Sequence, residues 1–301
     1  MKASSFGPLP DYPRPMTGIL LMVSAVTLFA VMDAGAKYLA ERYHVLLVAW
    51  VRFLLNVLSM AVVLGPVFGR RLLQTQRPRT QILRGLALVT SSLLFVSALP
   101  HMRLADASAV TFVTPMLVTL GAVFVFGQKA PPGTWLALAI SFVGVLLVVQ
   151  PGGSAFTWWA LVPLATAVCA SVYQLLTSQL AGIDNGTTTL FIGSLVAAAV
   201  LSGPVVLVWE WPRSWSDGLV FIGVGTTGAI SHYLIIRAFE FAPAATLAPF
   251  AYLQIIAALL LGLLVFGNFP GPLALVGIGL IVVTGVVMAL RQRFRLRAGV
   301  R

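Results

Sequence analysis

Apolar residues run through this 301-residue chain in ten stretches of about 20. Each is long enough to cross a hydrocarbon core of about 30 Å as a helix. The pattern predicts helices near 17–38, 45–66, 82–100, 104–127, 134–150, 156–180, 188–209, 218–240, 243–266 and 271–290. The segments between them are short and leave no room for a soluble catalytic domain. The expected fold is an all-α membrane protein with ten transmembrane helices. Pro8, Pro10, Pro13 and Pro15 precede a full-length first span, so that helix is expected to stay in place rather than be cleaved as a signal peptide.

The chain also repeats itself. A shift of 140 positions aligns 82–128 with 222–268 without a gap, and ten of the 47 positions are identical. They include Gly85/Gly225, Ser91/Ser231, Ala98/Ala238 and Ala105/Ala245. The clearest block sets Val125-Phe126-Gly127-Gln128 against Val265-Phe266-Gly267-Asn268. Five spans per half is an odd number, so the second half begins on the opposite face. The expectation is two inverted five-helix repeats, 1–150 and 151–301, around a central cavity. Inverted repeats recur in transporters because two half-structures exchanging roles expose a site between them to each side in turn.

Composition agrees: 59% of residues are hydrophobic and 9% charged, against about 25% charged in soluble domains. The net charge of +11 has a topological explanation. Arg70, Arg71, Arg77, Arg79 and Arg84 sit around the second loop, and Arg291, Arg293, Arg295, Arg297 and Arg301 form a basic tail. With both termini cytoplasmic, Lys2, Arg14, Lys129 and Arg237 join them inside, and Arg42, Arg103 and Arg213 remain outside. Cytoplasmic segments collect Lys and Arg in this way, so nucleic-acid binding has no place. Cys169 is a single cysteine within an apolar span and excludes a disulfide or zinc framework. No cofactor or metal is expected.

The motifs and their order resemble the drug/metabolite transporter superfamily, in its EamA-type ten-helix form. The resemblance covers nearly the whole chain. It rests on Met32-Asp33-Ala34 with Lys37, Trp50-Val51-Arg52-Phe53, Ala105-Asp106-Ala107 and Phe126-Gly127, then His232-Tyr233-Leu234, Arg237-Ala238-Phe239, Ala242-Pro243-Ala244 and Ala248 through Gln254. It implies a carrier of the bacterial inner membrane whose central cavity is walled by both halves. Carriers of this look have been suggested for S-adenosylmethionine, riboflavin and amino acids. Members often carry Glu after the Gly that closes spans four and nine, where this chain has Gln128 and Asn268.

Charges in a bilayer core cost about 2.5–3.5 kcal/mol each on insertion scales and tend to face a cavity or a partner. Asp33 and Lys37 are four apart on one face of the first helix, and Arg52 reaches a similar depth on the second. The three can form a site for an anionic or zwitterionic group, with Asp33 a candidate proton acceptor, or an ion triad that locks two helices. Lys37 can also snorkel to the outer surface. A shift of 141 places Asp33 opposite Gln174, beside Tyr173. His232 is a candidate proton carrier or ligand, or a packing residue; Arg237 and Glu240 read as an ion pair at the inner face. Tyr252 and Gln254 fall near the middle of span nine, just after Pro249. Pro115 and Pro163 are expected to bend spans four and six as Pro249 bends span nine. Asp33, Lys37, Arg52, Tyr173, Gln174, His232, Tyr252 and Gln254 are therefore the candidate substrate-binding residues.

Gly223, Gly225, Gly228, Gly277 and Gly279 permit close helix approach. Trp158, Trp159, Trp209, Trp211 and Trp215 read as an interfacial belt. No Gly-rich loop ends in Lys-Ser or Lys-Thr, so P-loop nucleotide hydrolysis is excluded. The function expected is secondary transport of a small amino-acid, vitamin or nucleoside-like metabolite by alternating access. Energy would come from substrate exchange, facilitated flow, or a proton or other ion gradient. A facilitative exporter, a channel and a membrane-embedded enzyme are the alternatives, and the enzyme lacks converging nucleophiles, acids or metal ligands. The bilayer is one partner, and a homodimer remains open.

Overall fold

The computed structural model describes residues 15–125, 127, 133–151, 157–180, 183–242, 247 and 250–297, without the side chains of 15, 122, 134, 236, 239, 240, 289 and 292–297. Gln128, Lys129, Pro243, Pro249, Arg301 and the Glu240 side chain lie outside the described residues. Among those described, the helices are α1 Pro15–Ala40, α2 Val45–Phe68, α3 Pro78–Ala98, α4 Leu104–Thr111, α5 Thr114–Phe124, α6 Thr134–Val149, α7 Leu161–Leu180, α8 Gly186–Val205, α9 Trp215–Phe241, α10 Leu253–Phe266 and α11 Pro272–Arg297. Helix is the form that satisfies every backbone N–H and C=O within its own segment, which lipid demands. Seven helical stretches are long and apolar enough to cross a membrane. Three further apolar helices, Trp135–Val149, Leu253–Phe266 and Pro272–Met288, are shorter.

Local signals start and stop the helices at matched places. His44 Nδ1 accepts from Leu46 N–H at the start of α2 (3.2 Å), and Asn185 Oδ1 accepts from Thr187 N–H at the start of α8 (2.9 Å). The two caps stand 141 positions apart. Gly127 and Gly267, 140 apart, both take φ +64°, the left-handed region where a Cβ is penalised. At Gly267 the N–H groups of Gly267 and Asn268 bond back to the carbonyls of Leu263 and Gly262 and close α10.

The fourth predicted span is interrupted. α4 stops at Thr111 and α5 resumes at Thr114, because Pro115 has no N–H to give Thr111. The Thr114 hydroxyl donates to that carbonyl instead, at 2.6 Å. Tyr252, 140 positions after Phe112, likewise stands at a turn just before α10. Pro163 differs from expectation: it sits where the 3₁₀ turn Trp158–Ala160 passes into α7, so it starts a helix rather than bending one. The last helix also outruns its predicted end and carries the beginning of the basic tail to Arg297.

The halves of the chain are interleaved. α1 packs along α9 and α10, and α3 packs along α7 and α8. α2 lies against α8 and α9, and α6 pairs with α11. The contacts exchange under the sequence offset. A Cβ on Gly85 would lie 2.6 Å from Val196, and one on Gly225 would lie 2.3 Å from Leu55. Those positions are the same pair with the halves swapped. Gly277 meets the backbone of Gly144, which brings α6 and α11 together. Gly223 and Gly279 have nothing within 4 Å and serve no close approach.

Loop contacts define two ends. At one, Tyr43 meets Asp217, His101 stacks on Trp159 at 3.8 Å, and Arg103 reaches Phe269 O at 3.1 Å. At the other, Gln76 meets Asp184, and a Cβ on Gly133 would touch Arg291. The five tryptophans expected to form a belt are all substantially exposed, from 39% at Trp159 to 91% at Trp215, and gather at the first end.

Candidate functional site

A cavity of about 310 Å³ opens among α1, α2, α3, α4, α7 and α10. α1, α3, α4 and α7 each contribute a stripe at helical spacing. α1 gives Phe29, Met32 and Asp33; α3 gives Leu88, Ser91, Ser92 and Phe95; α4 gives Ser108 and Thr111, with Phe112 just beyond; α7 gives Thr166, Ala170 and Gln174. Arg52 enters from α2 and Gln254 from α10. Four sequence candidates, Asp33, Arg52, Gln174 and Gln254, therefore share one wall-to-wall space. Gln254 Nε2 donates to Asp33 Oδ2 at 3.2 Å. Arg52 interacts electrostatically with Asp33, yet makes no hydrogen bond or ion pair with a described residue. Its five donors are thus available to a ligand.

The other four candidates stand around the cavity rather than in its lining. Lys37 is 3% exposed. Its ammonium donates to the carbonyls of Leu99 and Met102 (3.0 Å to Met102) and pairs with Glu41 at 3.0 Å. It caps the otherwise unpaired carbonyl end of α3, which removes it from the expected Asp33–Lys37–Arg52 cluster. The Tyr173 hydroxyl accepts from Arg84 Nη2 at 2.8 Å. His232 meets the edge of Phe29, ring centres 4.9 Å apart. It lines a separate side cavity of about 350 Å³ with Met60, Phe68, Thr187 and Arg237. Tyr252 packs on Phe112 at 5.4 Å and against Gly285, where any Cβ would overlap its ring.

Two features escaped the sequence reading. Ser92 and Ser108 line the cavity with buried hydroxyls that have no partner among the described residues. Their signal was a small polar residue in register with Leu88 and Phe95 on α3, and with Thr111 and Phe112 on α4. The second feature is Arg84, which was assigned to the basic second loop. α3 begins at Pro78, so Arg84 lies on its second turn and is 1% exposed. Its guanidinium donates to Thr177 Oγ1 (2.7 Å), Thr189 O (2.7 Å) and Tyr173 OH. It also presses on Gly193, where a Cβ would lie 2.7 Å from Nη1. Gly193 is the position 141 residues after Arg52, and it is a guanidinium from α3 that lies against it. Among the described residues no three His, Cys, Asp or Glu side chains converge as a metal site requires.

Both halves of the chain line this cavity, which gathers an acid, a guanidinium and neutral hydrogen-bonding groups. The family model that describes the EamA-like transporter family matches residues 16–150 and again 157–291. The chain belongs to that family. This EamA-like protein is an integral membrane transporter of small metabolites. It is similar to the S-adenosylmethionine uptake transporter of Rickettsia prowazekii, 24% identical over 85% of this chain and 86% of that one. It is also similar to the riboflavin transporter of Vibrio cholerae, 25% identical over 90% and 92% of the two chains. One solved crystal structure overlays with a TM-score of 0.65 at 21% identity, covering 92% of this chain and 98% of its own, a likeness of fold.

Proposed function

We propose that this EamA-like protein is a secondary carrier that moves a zwitterionic, ring-bearing metabolite by alternating access. The observation that carries the reading is the meeting of Asp33, Arg52, Gln174 and Gln254 in one cavity between the halves. An ammonium group is met by Asp33, a carboxylate by Arg52, and a planar ring by Phe29, Phe95 and Phe112. Gln174, Gln254, Ser92 and Ser108 supply neutral hydrogen bonds. A space of about 310 Å³ falls at the small end of the range for metabolite pockets. S-adenosylmethionine has this combination of carboxylate, ammonium and adenine ring, whereas riboflavin is a neutral ring system with a polyol. In this reading Lys37, Tyr173, His232 and Tyr252 hold the cavity wall and its neighbours in place.

The mechanism rests on ten crossings arranged as two inverted five-helix repeats, 1–150 and 151–301. Support comes from the paired matches of one family model, the exchanged Gly85–Val196 and Gly225–Leu55 contacts, and the equivalent caps at His44 and Asn185. The interruptions at Phe112 and Tyr252 add to it, because broken helices at midplane recur in inverted-repeat carriers. The alternating loop contacts at the two ends suit ten crossings with both termini on one side. The basic residues favour the cytoplasm of a bacterial inner membrane for that side. A proton gradient would act through Asp33, the carboxylate of the cavity.

Counterflow in proteoliposomes tests the substrate class. S-adenosylmethionine, free amino acids, nucleosides and riboflavin are compared as internal exchangers at two pH values. Trans-stimulation by compounds carrying both an ammonium and a carboxylate is the expected result. Exchange of riboflavin alone, or unitary currents in place of saturable flux, would overturn the reading.

A further inference from the structure

We infer that Asp217 and Asp184 are the gating carboxylates of the carrier, one at each end of the bundle, and that their balance sets which face opens. The inference rests on the alternating-access reading above. At the first end, Tyr43 OH donates to Asp217 Oδ2 at 2.6 Å and Tyr38 OH to Oδ1 at 3.0 Å. Arg213 N–H donates in turn to the Tyr43 hydroxyl at 2.7 Å. At the second end, Gln76 N–H donates to Asp184 Oδ1 at 2.9 Å, Gln81 Nε2 to Oδ2 at 2.8 Å, and Thr75 Oγ1 also to Oδ2. Both sets cross between the halves. The first ties α1 and the loop after it to the start of α9, and the second ties the start of α3 to the loop between α7 and α8.

The two sets are counterparts. Tyr43 and Asp184 are 141 positions apart, and Arg77 and Asp217 are 140 apart, the offsets that align the halves. The loop supplies a donor, Tyr43, at the first end and the acceptor, Asp184, at the second; the helix start supplies the acceptor, Asp217, at the first end and Arg77, which acts on Asp184 through its charge, at the second. Each carboxylate still lies at a helix N-terminus, α9 or α3, where the helix dipole favours negative charge. Hydrogen bonds to an ionised oxygen are about twice as strong as neutral ones. Parting either face means surrendering several of them to water at once. Two hydroxyls hold Asp217 and three donors hold Asp184, so each face is closed by a comparable polar set, as a carrier that must open each in turn requires.

Apolar clusters accompany the polar contacts at both ends, Leu72 packing with Met60 and Phe191 towards the second, and the crossing carboxylates are the polar element the ends share. At the first end Asp217 sits beside a core of Leu39, Tyr43, Leu47 and Phe221. At the second, Asp184 feels the charge of Arg77, and Gln81 Nε2 bridges it to Thr189 Oγ1. Losing one carboxylate therefore weakens one face alone.

The test is thiol accessibility in the full-length protein. Ser91→Cys, a partly buried position of the cavity lining, reports on the cavity in a Cys169→Ser background, labelled by a membrane-impermeant reagent in intact cells and in inverted vesicles. Asp217→Asn is expected to shift the ratio of labelling about tenfold towards the face that carries Tyr43. Asp184→Asn is expected to shift it about tenfold the other way. Tyr43→Phe, which removes one hydroxyl, should reproduce the direction of Asp217→Asn, and Asp217→Glu should restore part of the original ratio. Shifts of the same sign in both aspartate variants, or none, in a protein whose cavity is reached from both faces would overturn the gating role and leave the carrier reading standing. Labelling from one face only, insensitive to substrate and to every variant, would overturn both.

Discussion

Arg52→Gln isolates the contribution of one charge to solute binding. The guanidinium lines the cavity and forms no hydrogen bond or ion pair with a described residue. Its removal therefore breaks little of the fold, and glutamine keeps a polar side chain of similar reach. A hydrogen bond to a charged group is worth about 1.5–3 kcal/mol net. At about 1.4 kcal/mol per factor of ten, one such bond to a substrate carboxylate is about 10- to 150-fold in Kd. Two parallel bonds from the fork would exceed that. Binding of S-adenosylmethionine by calorimetry on the protein in nanodiscs should weaken by at least about tenfold in Arg52→Gln. Decarboxylated S-adenosylmethionine should bind wild type and variant alike, because it lacks the group that Arg52 meets. Melting temperatures of the two proteins should agree closely. Equal loss for both ligands, or unchanged affinity for the carboxylated one, would refute the pairing of Arg52 with an anion.

Gly85→Ala and Gly225→Ala should each destabilise the protein by about 1–3 kcal/mol through overpacking against Val196 and Leu55. Gly223→Ala and Gly279→Ala, in open space, should be neutral or stabilising by up to about 1 kcal/mol, and equal effects at all four in denaturant titrations would contradict the interleaved packing. Arg84→Met should lower stability by roughly 1–3 kcal/mol, because it orphans the Tyr173 hydroxyl while Thr177 and Thr189 keep helical partners. An unchanged or higher stability would show that the guanidinium is dispensable to the α3–α7–α8 junction. At Asp184, burial raises the carboxyl's proton affinity, but hydrogen bonds from Gln76, Thr75 and Gln81 and the charge of Arg77 outweigh it and hold it below its ordinary 3.8. A carboxyl held down on folding adds stability that is whole above its ordinary value and is lost as pH falls through the lower folded one. The Asp184 contribution should therefore persist down to about pH 4 and vanish only below it, and the stability gap to Asp184→Asn, followed by thermal scans against pH, should close only there. A gap that closes near neutrality would contradict the bonds assigned to it.

The periodic features of this molecule were legible from the chain alone. Runs of apolar residues fix helices wherever lipid forbids unpaired backbone groups, and Pro115 marked the break in span four because a missing N–H is a property of one residue. Positions that the offset of 140 or 141 aligns share particular features, the caps at His44 and Asn185 and the left-handed Gly127 and Gly267, and Asp33 and Gln174 line one cavity. Sequence spacing could not decide where long side chains turn. Lys37 and Asp33 share a helix face, yet a four-carbon stem carries the ammonium away to the carbonyl end of α3. Arg84 looked like one more loop cation, because its burial depends on α7 and α8, which lie about 90–110 residues away in sequence. The Arg84 guanidinium against Gly193, the unpaired hydroxyls of Ser92 and Ser108, and the gathering of donors around Asp184 and Asp217 were decided by tertiary structure, since each depends on which helices meet. Hydrophobicity is a property each residue carries with it, and so it can be read in order; a cavity exists only between helices that the fold has brought together.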